Sequence, residues 1–295
     1  MKDKMRKTIF QYSIRGFLLI SLLTLSLVGV AQQKEVTIYH TNDTHSRIDP
    51  LDVNSSDRNA GLGGYVRRAT CLDSLRTVTP DLLLFDCGDF CQGTPYYNLY
   101  KGEVEVKLMN LMKYDAVAIG NHEFDFGLEN MEKLFKLAEF PIVCANYDFK
   151  GTILESLVKP YVILERDGLK IGVFGLSPRL EGLVQADHYG DVVYNDPIKV
   201  ADEVAHELKV EQKCDLVICL SHLGLRPSAL YRESDQVLVR ETAHIDVVLG
   251  GHSHTFMDQP EIVLNKEGQG VPITQMGKNG VFLGKLKLTL DEVKK

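Results

Sequence analysis

Five times along this chain an apolar run of strand length stops abruptly in a cluster of Asp, Asn, His and Gly. The runs and the polar ends that follow them occupy residues 36–45, 82–89, 115–127, 216–222 and 247–254. Their ends read Asn42-Asp43-Thr44-His45, Cys87-Gly88-Asp89, Gly120-Asn121-His122 with Asp125 three residues on, Ser221-His222, and Gly250-Gly251-His252-Ser253-His254. A continuous apolar run is the pattern of a central parallel strand covered on both faces. Side chains at the carboxyl ends of such strands can converge at one edge of a sheet. The fold must therefore bring five polar strand ends to one place.

The segments between these ends support that reading. Helical spacing covers residues 64–75, 103–112, 128–138, 197–213 and 233–243, and strand patterns cover 35–41, 81–86, 115–119, 141–145, 215–220 and 245–249. Strand and helix alternate, as in βαβ units. The alternation breaks at 161–165 and 170–174, which flank the turn signal Arg166-Asp167-Gly168. Three strand-like segments close the chain, at 261–264, 273–276 and 281–290. Residues 49–60 are polar and read as a surface loop, and Gln92-Gly-Thr-Pro95 reads as a turn. The expected class is α/β with added antiparallel strands. No repeat, low-complexity run or linker rich in Pro, Gly or Ser divides residues 32–295, which read as one domain.

Charge and leader bound the function. The chain has 295 residues and a formal charge of −7. Residues 1–31 carry five basic side chains against Asp3, a net +4, which leaves −11 on the remainder. An acidic body argues against a broad nucleic-acid surface. It permits a small phosphorylated ligand, because bound cations dominate the local field. The basic start, the apolar run 16–30 and Gly29-Val30-Ala31 read as a secretory signal cut after Ala31. The alternative is an uncleaved anchor, for which the run is short. No later segment is apolar enough to span a membrane, so the expected location is periplasmic or secreted. Export permits disulfides. Cys144 and Cys219 nevertheless sit in strand patterns and Cys87 in a tight loop, so buried free thiols are expected. Only Cys87 and Cys91 are close enough in sequence to suspect as a pair.

The polar ends offer Asp43, His45, Asp89, Asn121, His222, His252 and His254 as ligands. In an extended segment Asp-x-His puts both side chains on one side. This N/O set without thiolate suits zinc, manganese or iron. Seven ligands serve two divalent ions if one carboxylate bridges them. Such a pair clamps the attacking and leaving oxygens of an in-line displacement and acidifies a bound water. Singly, each motif has a duller explanation: Gly-Asp is usually a turn, and a lone loop His is usually solvated or hydrogen-bonded. The information lies in their conjunction, each after an apolar strand.

Together the segments 40–47, 86–95, 120–127, 220–224 and 245–255 resemble the calcineurin-like metallophosphoesterase superfamily. More narrowly they resemble the catalytic domain of bacterial 5′-nucleotidase/UDP-sugar hydrolases. The resemblance implies a four-layer αββα sandwich. It implies one metal on Asp43, His45, Asp89 and His254, and a second on Asp89, Asn121, His222 and His252, with Asp89 bridging. His122 would be a non-ligand catalyst oriented by Asp125, assisting the leaving oxygen. An imidazolium held by a carboxylate suits that task. The alternative for His122 is a residue that only supports Asn121, and Glu123 has no role in this scheme.

Relatives of this kind usually continue into a second domain that supplies phosphate-binding arginines and base-stacking rings. This chain stops near residue 295. The resemblance therefore implies either a separate polypeptide supplying that domain or a less selective phosphoesterase. The expected function is an exported two-metal phosphomonoester hydrolase acting on nucleotides. The alternatives are a two-metal hydrolase of a nucleotide-sugar pyrophosphate, cyclic phosphodiester or sulfur ester, and a non-catalytic metal-binding subunit.

Overall fold

The protein is described by a computed structural model covering residues 33–229 and 231–290. The leader reading for residues 1–31, with its cut after Ala31, lies outside the described residues. Residues 37–287 form one compact unit, and the described residues 33–36 and 288–290 group apart from it.

Two six-stranded sheets and a two-stranded one are present. The first contains β1 (Lys34–Thr41), β2 (Leu83–Asp86), β3 (Ala116–Ala118), β4 (Ile142–Val143), β6 (Val158–Lys159) and β14 (Gly284–Leu290). Its order is β14-β1-β2-β3-β4-β6, and the pairs from β1 to β6 are all parallel. The second contains β7 (Tyr161–Arg166), β8 (Leu169–Leu176), β10 (Leu216–Ser221), β11 (Val247–Leu249), β12 (Glu261–Leu264) and β13 (Gly270–Thr274). Its order is β12-β13-β11-β10-β8-β7. The four central strands are parallel, and both edge strands, β7 and β12, are antiparallel. A small ladder joins β5 (Tyr147–Asp148) to β9 (Val193–Tyr194).

Period-two alternation explains how two sheets stack between helices. Leu82 and Leu84 pack into a core with Leu72 of α1 (Tyr65–Val78), Met109 of α3 (Glu103–Met112) and Leu134 of α4 (Gly127–Leu137). Leu83 and Phe85 point to the other face and are equally buried. In the second sheet, Val217 and Cys219 pack against Ala201 of α6 (Pro197–His206) and Leu238 of α7 (Asp235–Glu241). Leu216, Ile218 and Leu220 alternate with them and are fully buried. The sheets meet at β3, β4 and β8. They approach so closely that a Cβ on Gly175 would lie 2.1 Å from the Val143 carbonyl oxygen. The order helix, sheet, sheet, helix is the expected αββα arrangement.

Several boundaries depart from the sequence reading. Pro95 opens a short helix α2 (Pro95–Tyr100) where a turn alone was expected, since proline fits the first helical turn. A further one-turn helix, α5, spans Ala186–Tyr189. The helix expected over 197–213 stops at His206 and continues as a wide π turn, Glu207–Glu211. The last two strands occupy 270–274 and 284–290 rather than 273–276 and 281–290. All six cysteines are free thiols, Cys87 and Cys91 included. Five are buried, but Cys71 is exposed.

Candidate metal centre

All five polar strand ends lie at the carboxyl edge of the two large sheets. The loops after β1 and β2 run side by side: Asp43 N donates to Gly88 O and His45 N to Asp89 O, each at 3.0 Å. The second sheet reaches the same place. His222 Nδ1 lies 2.6 Å from Cys87 O, and His252 N lies 3.1 and 3.0 Å from the Asp43 carboxylate oxygens. Asp43 and His45 are not presented by an extended segment as the Asp-x-His spacing suggested. Their φ angles are 49° and 46°, and Asp89, His252 and His254 are left-handed as well, at 57°, 69° and 52°. Non-glycine residues are rare there, and each such conformation costs on the order of 1 kcal/mol or more. The chain kinks at the ligands themselves, so that consecutive polar side chains aim at one point.

Three groups of donor atoms lie within 4.8 Å of one another: Asp43, His45 and His254; Asp89, His222 and His252; and His45, Asp89 and His122. His45 Nε2 and His254 Nε2 are 2.9 Å apart, and Asp43 Oδ1 is 3.9 and 3.4 Å from them. Donor atoms about 2.1 Å from a common ion sit about 3–4 Å from each other, so these spacings fit. His222 Nε2 lies 2.9 Å from Asp89 Oδ2 without hydrogen-bond geometry. The buried Asn121 Oδ1 also has no hydrogen-bond partner. Carboxylates, imidazoles and an amide oxygen left without a donor, all gathered at one point, are what a cation satisfies.

The electrostatics agree. Burial opposes a charge on His222, yet the Asp89 and Asp43 carboxylates outweigh it and push its pKa up to about 10. Burial likewise opposes ionisation of Asp89, but the neighbouring histidines, His222 above all, hold its carboxyl well below the usual range. The pocket is thus built around positive charge. His252 is pushed down to about 4 by burial, and burial also lowers His45. Both imidazoles stay neutral with a lone pair to offer. His222 Nδ1 donates to the Cys87 carbonyl, leaving Nε2 toward Asp89, the orientation a backbone acceptor imposes on a ligand histidine.

His122 and Asp125 form the expected pair. A single 3₁₀ turn, His122–Phe124, sets them three residues apart on one side, and His122 Nδ1 is 3.0 Å from Asp125 Oδ2. Burial would lower the His122 pKa, but the Asp125 hydrogen bond and the Asp89 charge raise it to about 9. Its ring is 5.4 Å from that of His45, so it stands at the mouth of the donor cluster while its own Nδ1 is occupied.

Other residues, to which the sequence reading assigned no role, hold this geometry. The fully buried Glu123 carboxylate accepts from Asp89 N (3.1 Å), Cys91 N (3.1 Å) and Gly120 N (2.6 Å), locking two ligand loops together. Burial and the nearby Asp89 push its pKa up to about 7. Gln275 does the same for the second sheet: Nε2 donates to Gly251 O, and Oε1 accepts from Ser253 Oγ and Thr255 N. Asn42 joins the Asp43 carboxylate to the Gly277 carbonyl. Only Glu123 carried a sequence signal, as part of Gly-Asn-His-Glu. Gly120 is required by space, since a Cβ there would lie 2.1 Å from Asp89 Oδ1.

Residues 36–256 match the family described as calcineurin-like phosphoesterase. The chain belongs to this family. It is 34% identical to human 5′-nucleotidase over 278 residues, 88% of this chain and 47% of that protein. Among solved structures, the 5′-nucleotidase precursor of Thermus thermophilus superposes with a TM-score of 0.79 at 31% identity. That alignment covers 88% of this chain and 52% of the other. The NAD nucleotidase of Haemophilus influenzae gives 0.76 at 28% identity, covering 88% and 53%. The chain thus spans about half the length of the relatives it matches. As a calcineurin-like phosphoesterase it has residues that fit divalent metal ions, and the donor groups described above could hold them.

Proposed function

We propose that this calcineurin-like phosphoesterase is an exported, two-metal phosphomonoester hydrolase of the 5′-nucleotidase type. The observation that carries the reading is the meeting of Asp43, His45 and the exposed His254 with Asp89, His222 and the half-buried His252. Asp43, His45, Asp89 and His254 would hold one divalent ion, of zinc, manganese or iron type. Asp89, Asn121, His222 and His252 would hold the other. Two cations at such a site activate water and neutralise phosphate charge.

The chain's own residues supply the rest. Cys87 O fixes the tautomer of His222, and Glu123 and Gln275 hold the ligand loops, so little ordering is left for the moment of binding. His122, oriented and kept protonated by Asp125, presents its Nε2 proton to the leaving ester oxygen. A separate polypeptide that supplies further substrate contacts belongs to the same proposal. Co-purification of such a chain tests it, and undiminished nucleotide turnover by rigorously purified single chain would count against it. The likeness to an NAD nucleotidase favours one second reading, hydrolysis of a phosphoric anhydride.

The decisive experiment is hydrolysis of an aryl phosphate and of nucleoside monophosphates with added manganese or zinc, for wild type, Asp89→Ala and His122→Ala. Asp89→Ala should lose both metal and activity. His122→Ala should keep its metal and lose about 10²–10⁴-fold in rate. Loss of metal from His122→Ala would overturn the role given to that residue. Equal inactivity of all three proteins with metal bound would favour a non-catalytic subunit.

A further inference from the structure

Beside His252 a small cleft opens whose other walls include Arg179, Leu183, Tyr194, Leu223, Tyr231 and Glu233. Arg179 follows β8, whose last residue Leu176 pairs with Ser221, immediately before His222. It therefore belongs to the same carboxyl edge as the metal donors. Its guanidinium stacks on the Tyr194 ring, 4.7 Å from the centroid. Tyr194 is in turn held by the β5–β9 ladder. Among the described residues the one ion-pair partner of Arg179 is Glu233, at 3.7 Å, too long for a hydrogen bond. Among the described residues no hydrogen bond uses the Arg179 donors, and its side chain is 42% exposed. Tyr231, which donates to Glu181 O at 3.2 Å, walls the opposite side.

The cleft is about 20 Å³, room for one water-sized atom group. A nucleobase or sugar ring does not fit in it. One oxygen of an anion fits, with the planar guanidinium as donor. A group there would also lie against His252, and so against the candidate metal centre.

We propose that Arg179 is a substrate-binding residue that takes a phosphate oxygen of the ester or anhydride at the metal centre. The inference rests on the hydrolase reading above. It assigns to this chain an anion contact of its own, pre-set by the Tyr194 stack. The oxygen can come from the scissile phosphate or from a phosphate next to it.

The test uses the metal-loaded full chain as wild type, Arg179→Ala and Arg179→Lys. Steady-state constants are measured for AMP and ADP, and inorganic phosphate binding is measured by calorimetry. Arg179→Ala should keep its metal content and a kcat within about threefold of wild type. Its KM should rise about tenfold or more and its phosphate affinity should fall, with Arg179→Lys between the two; a tenfold loss is about 1.4 kcal/mol. Equal KM losses for both nucleotides place the contact on the scissile phosphate, and a loss confined to ADP places it on the neighbour. Unchanged KM for both nucleotides with unchanged phosphate affinity overturns the inference and leaves the hydrolase reading standing. A loss confined to kcat or to metal content also overturns it. A wild type that turns over neither nucleotide but binds phosphate through Arg179 sinks the hydrolase reading and reduces the inference to an anion contact without a substrate role. Failure of the wild type both to bind phosphate and to turn over either nucleotide sinks both.

Discussion

Gln275 ties down the second sheet's half of the candidate metal centre, and Gln275→Ala measures by how much. The side chain is fully buried and brackets the two histidines of the fifth strand end. It donates to Gly251 O at 2.6 Å, before His252, and accepts from Ser253 Oγ at 3.0 Å, between His252 and His254. It also accepts from Thr255 N, after His254. Truncation removes one of the two donors on the Gly251 carbonyl, which keeps Ser253 N, and orphans the Thr255 amide, at a cost of about 1–3 kcal/mol if that amide stays dry. The cavity left behind is polar and can admit water, which argues against the upper end of that range and for about 2 kcal/mol. Much of that cost should appear as weaker metal binding, because the left-handed His252 and His254 lose the frame that holds them there. About 2 kcal/mol is roughly a thirtyfold weaker metal dissociation constant. The assay is competitive titration of metal-stripped protein with a zinc chelator, alongside urea unfolding of the metal-free form. Gln275→Ala with zinc affinity within threefold of wild type would refute the argument.

Three further outcomes follow from the same geometry. Gly120→Ala should fold yet fail to hold a full complement of metal, because its methyl would displace Asp89; full metal content by elemental analysis would contradict this. Glu123→Gln keeps two of the three accepted amides but turns an NH₂ toward the third. It should destabilise the metal-free protein by about 1–3 kcal/mol in urea, and no change in the unfolding midpoint would count against the tie. His40 is fully buried with neither ring nitrogen hydrogen-bonded, and burial pushes its pKa down to about 3 from an unfolded value of 6.5. The unfolded chain then binds the proton first. His40's contribution is fully present above pH 6.5 and is lost as pH falls toward 3, by up to about 1.4 kcal/mol per pH unit. His40→Leu should flatten the stability slope of metal-free protein between pH 4.5 and 6, and an unchanged slope would exclude this cause.

Much of the architecture was legible because burial on both faces writes itself as uninterrupted apolar runs. Leu82-Leu83-Leu84-Phe85 and Leu216-Val217-Ile218-Cys219 could be little else than central strands. The polar ends were legible for the complementary reason, since Asp, His and Asn in quick succession after such a run have no packing function. Tertiary choices were less visible. Whether Pro95 ends a turn or begins α2 depends on what Tyr97 can bury, and the end of α6 at His206 depends on how Leu208 fits beneath β8. The supporting residues were hidden for a different reason. Gln275 lies at the end of a strand-like segment far from any histidine in sequence, and only the pairing of β11 with β13 brings it to the His252–His254 loop. A carboxylate such as Glu123 next to a histidine also reads first as a ligand or a surface charge. Its three amide partners are set by backbone geometry that spacing does not encode.

The left-handed ligands explain why the centre needs so many hidden supports. An Asp-x-His on a true strand would hold its pair by the sheet ladder alone. Here Asp43, His45, Asp89, His252 and His254 sit just beyond their ladders, in a conformation that the backbone resists. Five such residues together cost on the order of several kcal/mol, a substantial part of a domain's net stability. The cost is met by bonds that act only on these loops: three amides on Glu123, three contacts on Gln275, two on the Asp43 carboxylate from His252 N, and one on Cys87 O from His222. Several of them cross between strand ends, and three cross between the sheets. Removing any one should therefore loosen ligands on a strand other than its own. Metal affinity, rather than the melting point of the metal-loaded protein, is where such losses should first be read.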